Sequence, residues 1–268
     1  MKISVIIPSY KPSTYLYKCL DSLEVQNNNS EYEILIILNG CNEPYFSNIK
    51  QYIKEKKYDN INIIQTGAAG VSNARNIGIA NAKGDNILFI DDDDWTSPNY
   101  LDNMAKISSN KEIVHSNIVL IEEETNKKLP YFINKGFLRN KDHKKITLFQ
   151  GRSLLSSSCA KLIPRKIIGQ EKFNTKHKLG EDSLFMFCIS NNIKEIKLTS
   201  DETIYYVRAR QKSASRKHYT YKERVGVAIN LLRSYSSSYL KHPFSYNIPF
   251  FISRVVATII KLRKKEYE

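Results

Sequence analysis

Asp91-Asp92-Asp93-Asp94 follows directly on the apolar run Ile87-Leu88-Phe89-Ile90. Four carboxylates at the tip of a buried strand repel one another unless a cation or solvent separates them. Hard oxygen ligands at that density suit Mg²⁺ or Mn²⁺. The competing reading is an acidic turn that caps the next helix, since Asp is favoured near helix N-termini. Position favours the first reading. A strand, a carboxylate cluster and then Thr96-Ser97-Pro98 opening a helix is the order in which an open α/β sheet builds its ligand crevice. A second acidic pair, Glu181-Asp182, follows Gly180 and opens a helical pattern. A carboxylate beside a like charge has a raised pKa and can take a proton from a hydroxyl within hydrogen-bond reach; capping by Asp182 is the structural alternative. Arg75 lies in a helix that starts with the small residues Gly67-Ala68-Ala69-Gly70-Val71-Ser72, where backbone can approach an anion and a guanidinium can reach it; an ordinary surface arginine is the alternative.

The elements that must position these groups alternate along the first half. Apolar runs at Ile3 to Ile7, Ile34 to Leu38, Ile61 to Ile64 and Asn86 to Ile90 read as strands. Helical spacing links Leu16, Cys19, Leu20 and Leu23, then Ile49, Tyr52 and Ile53, then Val71 to Ala82. Continuous apolar strands alternating with helices predict a Rossmann-like, mostly parallel sheet covered on both faces. Beyond Trp95 the pattern predicts a helix near Pro98 to Ile107, a one-sided strand from Ile113 to Ile121, a loop or lid over residues 125 to 152, a helix over Asp182 to Ile189 and a strand over Thr203 to Val207. Two further helices follow, one through Val225, Ile229 and Leu232 and one after Pro249.

The chain has 268 residues and a formal net charge of +14. That charge is uneven: residues 1–130 hold 17 acidic against 13 basic side chains, and residues 131–268 hold 10 against 28. The second half is therefore built to meet anions, whether a diphosphate, an anionic membrane surface or nucleic acid. The acidic cluster argues against nucleic acid. Cys19, Cys41, Cys159 and Cys188 are scattered, without CxxC or zinc-finger spacing, and read as reduced thiols of a cytoplasmic protein. The opening Met1 to Pro8 has too short an apolar run for a signal peptide and reads as the first strand. Ile248 to Ile260 is apolar, interrupted by Arg254 and followed by Lys261, Arg263, Lys264 and Lys265. It falls short of the roughly 20 residues a spanning helix needs. Two readings stand: a segment lying in the interface of an anionic leaflet, or a helix on the protein's own core with a solvated basic tail.

Taken together, Pro8-Ser9-Tyr10, Asn39-Gly40, Gly70-Val71-Ser72-Asn73-Ala74-Arg75-Asn76-x-Gly78, Phe89-Ile90 with the four aspartates, and Gly180-Glu181-Asp182 resemble a family 2 glycosyltransferase of GT-A fold. The resemblance covers about residues 1 to 210. It implies a GT-A domain over 1–215, with a nucleotide-binding half (1–100) and an acceptor-binding half (101–215), and a basic helical extension over 216–268. It implies a nucleotide-sugar site at Pro8, Ser9, Tyr10, Asn39, Arg75, Asp91 and Asp92. Tyr10 either flanks the base or is a plain surface aromatic. Asn39 stands where the family usually carries Asp, which leaves the base open, with UDP-sugar the first expectation. The family's D-x-D pattern maps to Asp91 for the ribose and Asp93 for Mn²⁺ or Mg²⁺, a register of Asp92 and Asp94 being the alternative.

The family pattern makes Asp182 the base, with Glu181 and Trp95 at the acceptor. One base and no carboxylate nucleophile imply a single inverting displacement. Lys161, in the segment Cys159 to Arg165, either faces an acceptor phosphate or, as the first expectation, lies solvated. Tyr205 to Arg208 and Ser213 to Ser215, with Arg210, Lys212, Arg216 and Lys217, resemble the family's closing strand and loop over the donor phosphates. No Q-x-x-R-W motif follows, so transfer of one sugar at a time is expected. The expected acceptor is a growing glycan, lipid-diphosphate-linked, as in capsule, O-antigen or exopolysaccharide assembly; the expected location is the cytoplasm, peripheral on the inner face of the cell membrane, and homo-oligomers are compatible. The rival readings are a sugar-phosphate nucleotidyltransferase, a nucleic-acid-binding module and a non-catalytic sugar- or nucleotide-binding protein.

Overall fold

The computed structural model describes residues 2–24, 26, 31–109, 111–210 and 219–263. Strands β1 (Ile3–Ser9) and β2 (Tyr32–Asn39) are buried along their whole length, the condition that β-branched apolar runs satisfy between two helical layers. With β3 (Ile61–Thr66) and β4 (Asn86–Phe89) they form a parallel unit. Helix α1 (Thr14–Glu24) buries Leu16, Cys19, Leu20 and Leu23, the four residues whose spacing marked it. The helices α2 (Tyr45–Lys56) and α3 (Val71–Asn81) complete the alternation. In α3, Gly78 lets the helix approach β1 closely: a Cβ there would lie 2.3 Å from Ile6 Cγ2.

Past the aspartates come β5 (Trp95–Thr96), α4 (Tyr100–Lys106), β6 (Glu112–His115), β7 (Asn117–Glu122), β8 (Lys128–Leu129) and α5 (Phe132–Asn140). They are followed by β9 (Lys161–Pro164), α6 (Arg165–Ile168), α7 (Glu181–Cys188), β10 (Glu195–Leu198), β11 (Ile204–Ala209), α8 (Tyr221–Lys241) and α9 (Ile248–Arg263). The main sheet has the order β10-β6-β9-β4-β1-β2-β3, and a smaller sheet runs β5-β11-β7-β8. Only β9 is antiparallel in the main sheet, pairing β4 on one side and β6 on the other.

Four expectations change. Thr96 is strand rather than helix, and α4 opens at Tyr100. The single strand over Ile113 to Ile121 is two strands in different sheets, parted at Ser116, whose N–H bonds Ala160 O. The stretch 125–152 is not a structureless loop: it holds β8 and α5, and α5 buries Ile133, Gly136, Phe137 and Asn140. That stripe has helical spacing, but two of its members are a glycine and an asparagine, which hides it from an apolar pattern. Lys161 is not solvated. It lies in β9 at 0% exposure. Among the described residues, no helix is long and apolar enough to cross a membrane.

Candidate active site

Strands β4, β1 and β2 lie side by side and run in the same direction, so their carboxyl ends meet along one sheet edge, where open α/β sheets bind ligands. Ser9 ends β1, Asn39 ends β2, and the aspartates continue from β4. Pro8 and Ser9 are buried inside β1, while Tyr10 is 52% exposed just beyond it, with Lys11 Nζ 5.4 Å from its ring centre. Asn39 is buried, and both ends of its amide are engaged. Its Nδ2 donates to Ser9 O at 2.8 Å and its Oδ1 accepts from Gly70 N–H at 2.8 Å. It thus laces β1 to the loop that starts α3, and the strand ends hold a fixed spacing.

The four aspartates turn to four different partners. Asp91 Oδ1 accepts from Arg75 Nη2 at 2.8 Å, and its backbone N–H donates to Tyr205 Oη at 3.1 Å. Asp92 Oδ2 accepts from Ser9 Oγ at 2.6 Å. Asp93 pairs with Arg210, while its carbonyl accepts from Arg208 Nε at 2.9 Å. Asp94 is buried and accepts from the Arg208 backbone N–H at 2.9 Å. Burial and repulsion from neighbouring carboxylates raise three of the four. Asp92 is pushed up to about 7, with Ser9 opposing. Asp93 and Asp94 are also raised, burial first and neighbouring aspartates next. Trp95 stacks on Tyr206 with ring centres 5.2 Å apart and lies within cation–π reach of Lys18 and Arg208, at 3.8 and 4.8 Å.

Arg75 is 3% exposed and collects carboxylates from three places in the chain. Nη2 meets Asp91, Nη1 meets Asp182 Oδ1 at 2.5 Å, and Glu181 Oε1 lies 3.8 Å from Nη1. Burial opposes its charge, but Asp182 and Asp91 outweigh that and hold the guanidinium firmly protonated. The next residue, Asn76, bonds both the carbonyl and the N–H of Phe173, at 2.9 and 2.8 Å. Phe173 in turn lies under the guanidinium, 5.4 Å from ring centre to Cζ, and stacks on Phe185 of α7 at 3.8 Å. The Arg-Asn pair of α3 therefore fixes α7, and with it both carboxylates at the head of α7.

Those two carboxylates differ. Asp182 accepts from Arg75, from Ser158 N–H and Oγ at 3.1 Å each, and from Ser157 Oγ at 3.4 Å. Glu181 has fewer donors, and burial followed by the charge of Asp182 pushes it up to about 7, with Arg75 opposing. The arrangement places a proton acceptor, a fixed cation and a carboxylate cluster around one crevice. It suits displacement on a phosphorylated substrate by a hydroxyl.

A family model described as Glycosyl transferase family 2 matches residues 4–168. The chain belongs to this family. Among curated relatives of this glycosyltransferase chain, the poly(ribitol-phosphate) beta-N-acetylglucosaminyltransferase TarS of Staphylococcus aureus is 25% identical over 216 residues, 79% of this chain and 36% of the relative. The putative glycosyltransferase EpsH of Bacillus subtilis is 30% identical over 69% of this chain and 54% of its own length. The chain thus spans about a third to a half of the length of these relatives. Among solved structures, S. aureus TarS 1-349 in complex with UDP-GlcNAc superposes with a TM-score of 0.70 at 21% identity, covering 88% of this chain and 66% of that one. The mannosyltransferase PcManGT from Pyrobaculum calidifontis, in complex with GDP-Man and Mn²⁺, gives 0.65 at 12% identity, covering 97% and 69%. These likenesses show a GT-A fold.

In this family 2 chain, the donor set at the tip of β4 fits a hard divalent cation. Mg²⁺ is typically held by one or two carboxylates together with substrate phosphates and water. Asp92 is raised by burial and then by the charges of Asp93 and Asp91, and Asp93 by burial and then by Asp91, a strain that a cation relieves. Among the described residues, no three His, Cys, Asp or Glu side chains form a self-sufficient metal cage. Sequence reasoning missed Ser157, Ser158 and Phe173, and gave Asn76 no role beyond its place in the Gly70-to-Gly78 motif. The serine run Ser156-Ser157-Ser158 was visible but carried no partner until the fold brought Asp182 to it. Lys212, Ser213 to Ser215, Arg216, Lys217, Lys264 and Lys265 lie outside the described residues.

Proposed function

We propose that the chain transfers one sugar from a nucleotide-sugar, a UDP-sugar first, to a growing surface glycan carried on a lipid diphosphate, peripheral to the inner membrane face. The observation that carries this reading is the Arg75 hub, which joins the donor-side Asp91 to the acceptor-side Glu181 and Asp182. Donor and acceptor chemistry must meet within one crevice, and the hub fixes that meeting. Two relatives support the substrate class by their names alone: TarS, and the poly(ribitol-phosphate) beta-glucosyltransferase of Bacillus spizizenii, 28% identical over 77% of this chain.

In the proposed reaction, Asp91 receives the ribose hydroxyls, Asp92 lies on the nucleotide-sugar side, and Asp93 would hold Mn²⁺ or Mg²⁺. That cation supplies neutralisation of the charge growing on the departing diphosphate. Pro8, Ser9 and Tyr10 line the nucleotide side. Asn39 acts there by fixing the strand ends. Trp95, stacked on Tyr206 and flanked by Lys18 and Arg208, stands on the acceptor side. Asp182 takes the acceptor hydroxyl's proton as the nucleophile displaces the diphosphate from the far face of the sugar, which inverts the anomeric carbon.

A second reading has a specific observation behind it. Asp182 is engaged by four donor groups, whereas Glu181 is pushed to about 7, the range in which a general base works best at neutral pH. In that reading Glu181 takes the proton and Asp182 anchors it through Arg75.

The test is a thermal-shift panel of UDP-, GDP- and dTDP-sugars with and without Mn²⁺, followed by donor hydrolysis and transfer with Asp93→Ala and Asp182→Asn. A native-state ligand raises the melting temperature. A UDP-sugar shift that grows with Mn²⁺, and turnover lost in both variants, is expected. Unchanged turnover in both would falsify the assignment.

A further inference from the structure

Helix α9 is amphipathic in the reverse of the usual sense. Its inward face carries Phe250, but also Arg254 and Thr258, at 5% and 8% exposure. Arg254 is tied down there by Arg152 O at 2.7 Å and Ser156 Oγ at 3.3 Å. Its outward face carries Ile248, Ile252, Val256, Ile259 and Ile260, all between 41% and 55% exposed. At roughly 100° per residue these five share one stripe along the helix. Just before the helix, Leu240 and Phe244 are 72% and 102% exposed. Single exposed apolar side chains are ordinary, but a continuous stripe with the polar residues turned inward marks a surface that meets something other than water.

Charge selects the occupant. Apart from the inward-turned Arg254, the chain from Arg224 to Lys265 holds seven Lys or Arg, and no Asp or Glu before Glu266. A second copy docked on this face would bring two such basic surfaces together, whereas an anionic lipid surface satisfies the apolar stripe and the charge at once. The helix is 16 residues, about 24 Å at 1.5 Å per residue, and no described helix can cross a bilayer. A helix of this kind lies in the plane of the interface.

We infer that α9 is the membrane-docking element: its Ile248-to-Ile260 stripe enters the headgroup boundary of an anionic leaflet, while Lys241 and Lys261 meet the lipid phosphates. The inference deepens the membrane-peripheral part of the proposed function and names its surface. It is read out without sugar transfer, so its failure leaves the transfer reaction standing.

The experiment is flotation of the full 268-residue chain with vesicles of phosphatidylcholine alone and of phosphatidylcholine with phosphatidylglycerol in equal parts. Wild type floats with the anionic vesicles only, and less as salt rises. Ile252→Glu/Val256→Glu loses on the order of tenfold or more in partitioning while its melting temperature stays that of wild type. Ile259→Ser/Ile260→Ser, a milder change at the helix end, weakens partitioning in the same direction and covers the case in which the charged variant unfolds. The inference is overturned by absent binding to anionic vesicles, or by equal binding of wild type and both folded variants. It is overturned equally by sedimentation showing that wild type is a dimer which the variants dissociate, because the face is then an interface between copies.

Discussion

Arg75 and Asp182 meet at 2.5 Å across 107 residues of chain, and the same guanidinium reaches Asp91 at 2.8 Å. A single buried cation thus sets the distance between the two acidic groups of the crevice. Removing one partner of a buried pair leaves an uncompensated charge, which costs about 3–5 kcal/mol. Arg75→Met is expected to lose roughly that amount in urea unfolding, together with transfer. Arg75→Lys is expected to recover little of either, since one ammonium cannot reproduce the planar, two-sided contact.

Asp93 pairs with Arg210 in the same crevice. If Asp93 holds the divalent ion, Asp93→Ala removes the Mn²⁺-dependent part of the nucleotide-sugar thermal shift. Arg210→Ala, by contrast, frees the carboxylate and lowers the Mn²⁺ concentration needed for half the shift. A titration of melting temperature against Mn²⁺ reads both.

The pH profile separates the two candidate bases. A base must be deprotonated to act, so a group at about 7 gives a kcat/KM that rises through neutral pH and levels above it. If Glu181 is the base, Glu181→Gln abolishes that limb and lowers kcat by about 10²–10⁴-fold. If Asp182 is the base, Glu181→Gln keeps most of its turnover and activity is lost in Asp182→Asn instead. Profiles at saturating Mn²⁺ keep Asp92 ionised and out of the comparison.

Lys161 carries a different pH signature. Burial pulls it from 10.5 to about 7, although Cys159 and Asp182 favour its charge. Between these values the unfolded chain holds more protons than the folded one, so the Lys161 contribution makes stability rise with pH across that window. Lys161→Met removes this slope and is expected to be the more stable protein near pH 7, by on the order of a few kcal/mol. Its advantage shrinks towards pH 10. Denaturant unfolding at several pH values tests the sign.

Gly78 is a packing requirement. A methyl group 2.3 Å from Ile6 Cγ2 cannot be absorbed by a flexible side-chain end, because that carbon branches directly from Cβ. Gly78→Ala is expected to destabilise by about 1–3 kcal/mol and to weaken nucleotide-sugar binding, since α3 carries Arg75.

Much of this was legible because the signals were local. The four strands of the first half announce themselves by continuous apolar runs, and α1 by the spacing of Leu16, Cys19, Leu20 and Leu23. The aspartates and the Glu181-Asp182 pair were legible as candidates from their neighbours in the chain. What each one touches was not. Asn39 reads as a residue facing the nucleotide base, yet both ends of its amide are engaged by Ser9 O and Gly70 N–H, 30 and 31 residues away. Lys161 reads as a surface lysine because nothing local shows that β9 is covered on both sides. The helix α5 was hidden by the glycine and asparagine in its buried stripe.

The antiparallel strand β9 sits between β4 and β6. During synthesis the unsatisfied backbone edge of β4 therefore has no native cover until residues 161–164 have left the ribosome. Fragments ending near residue 100 carry the aspartates with a bare sheet edge, and they are expected to aggregate instead of maturing into an independent nucleotide binder.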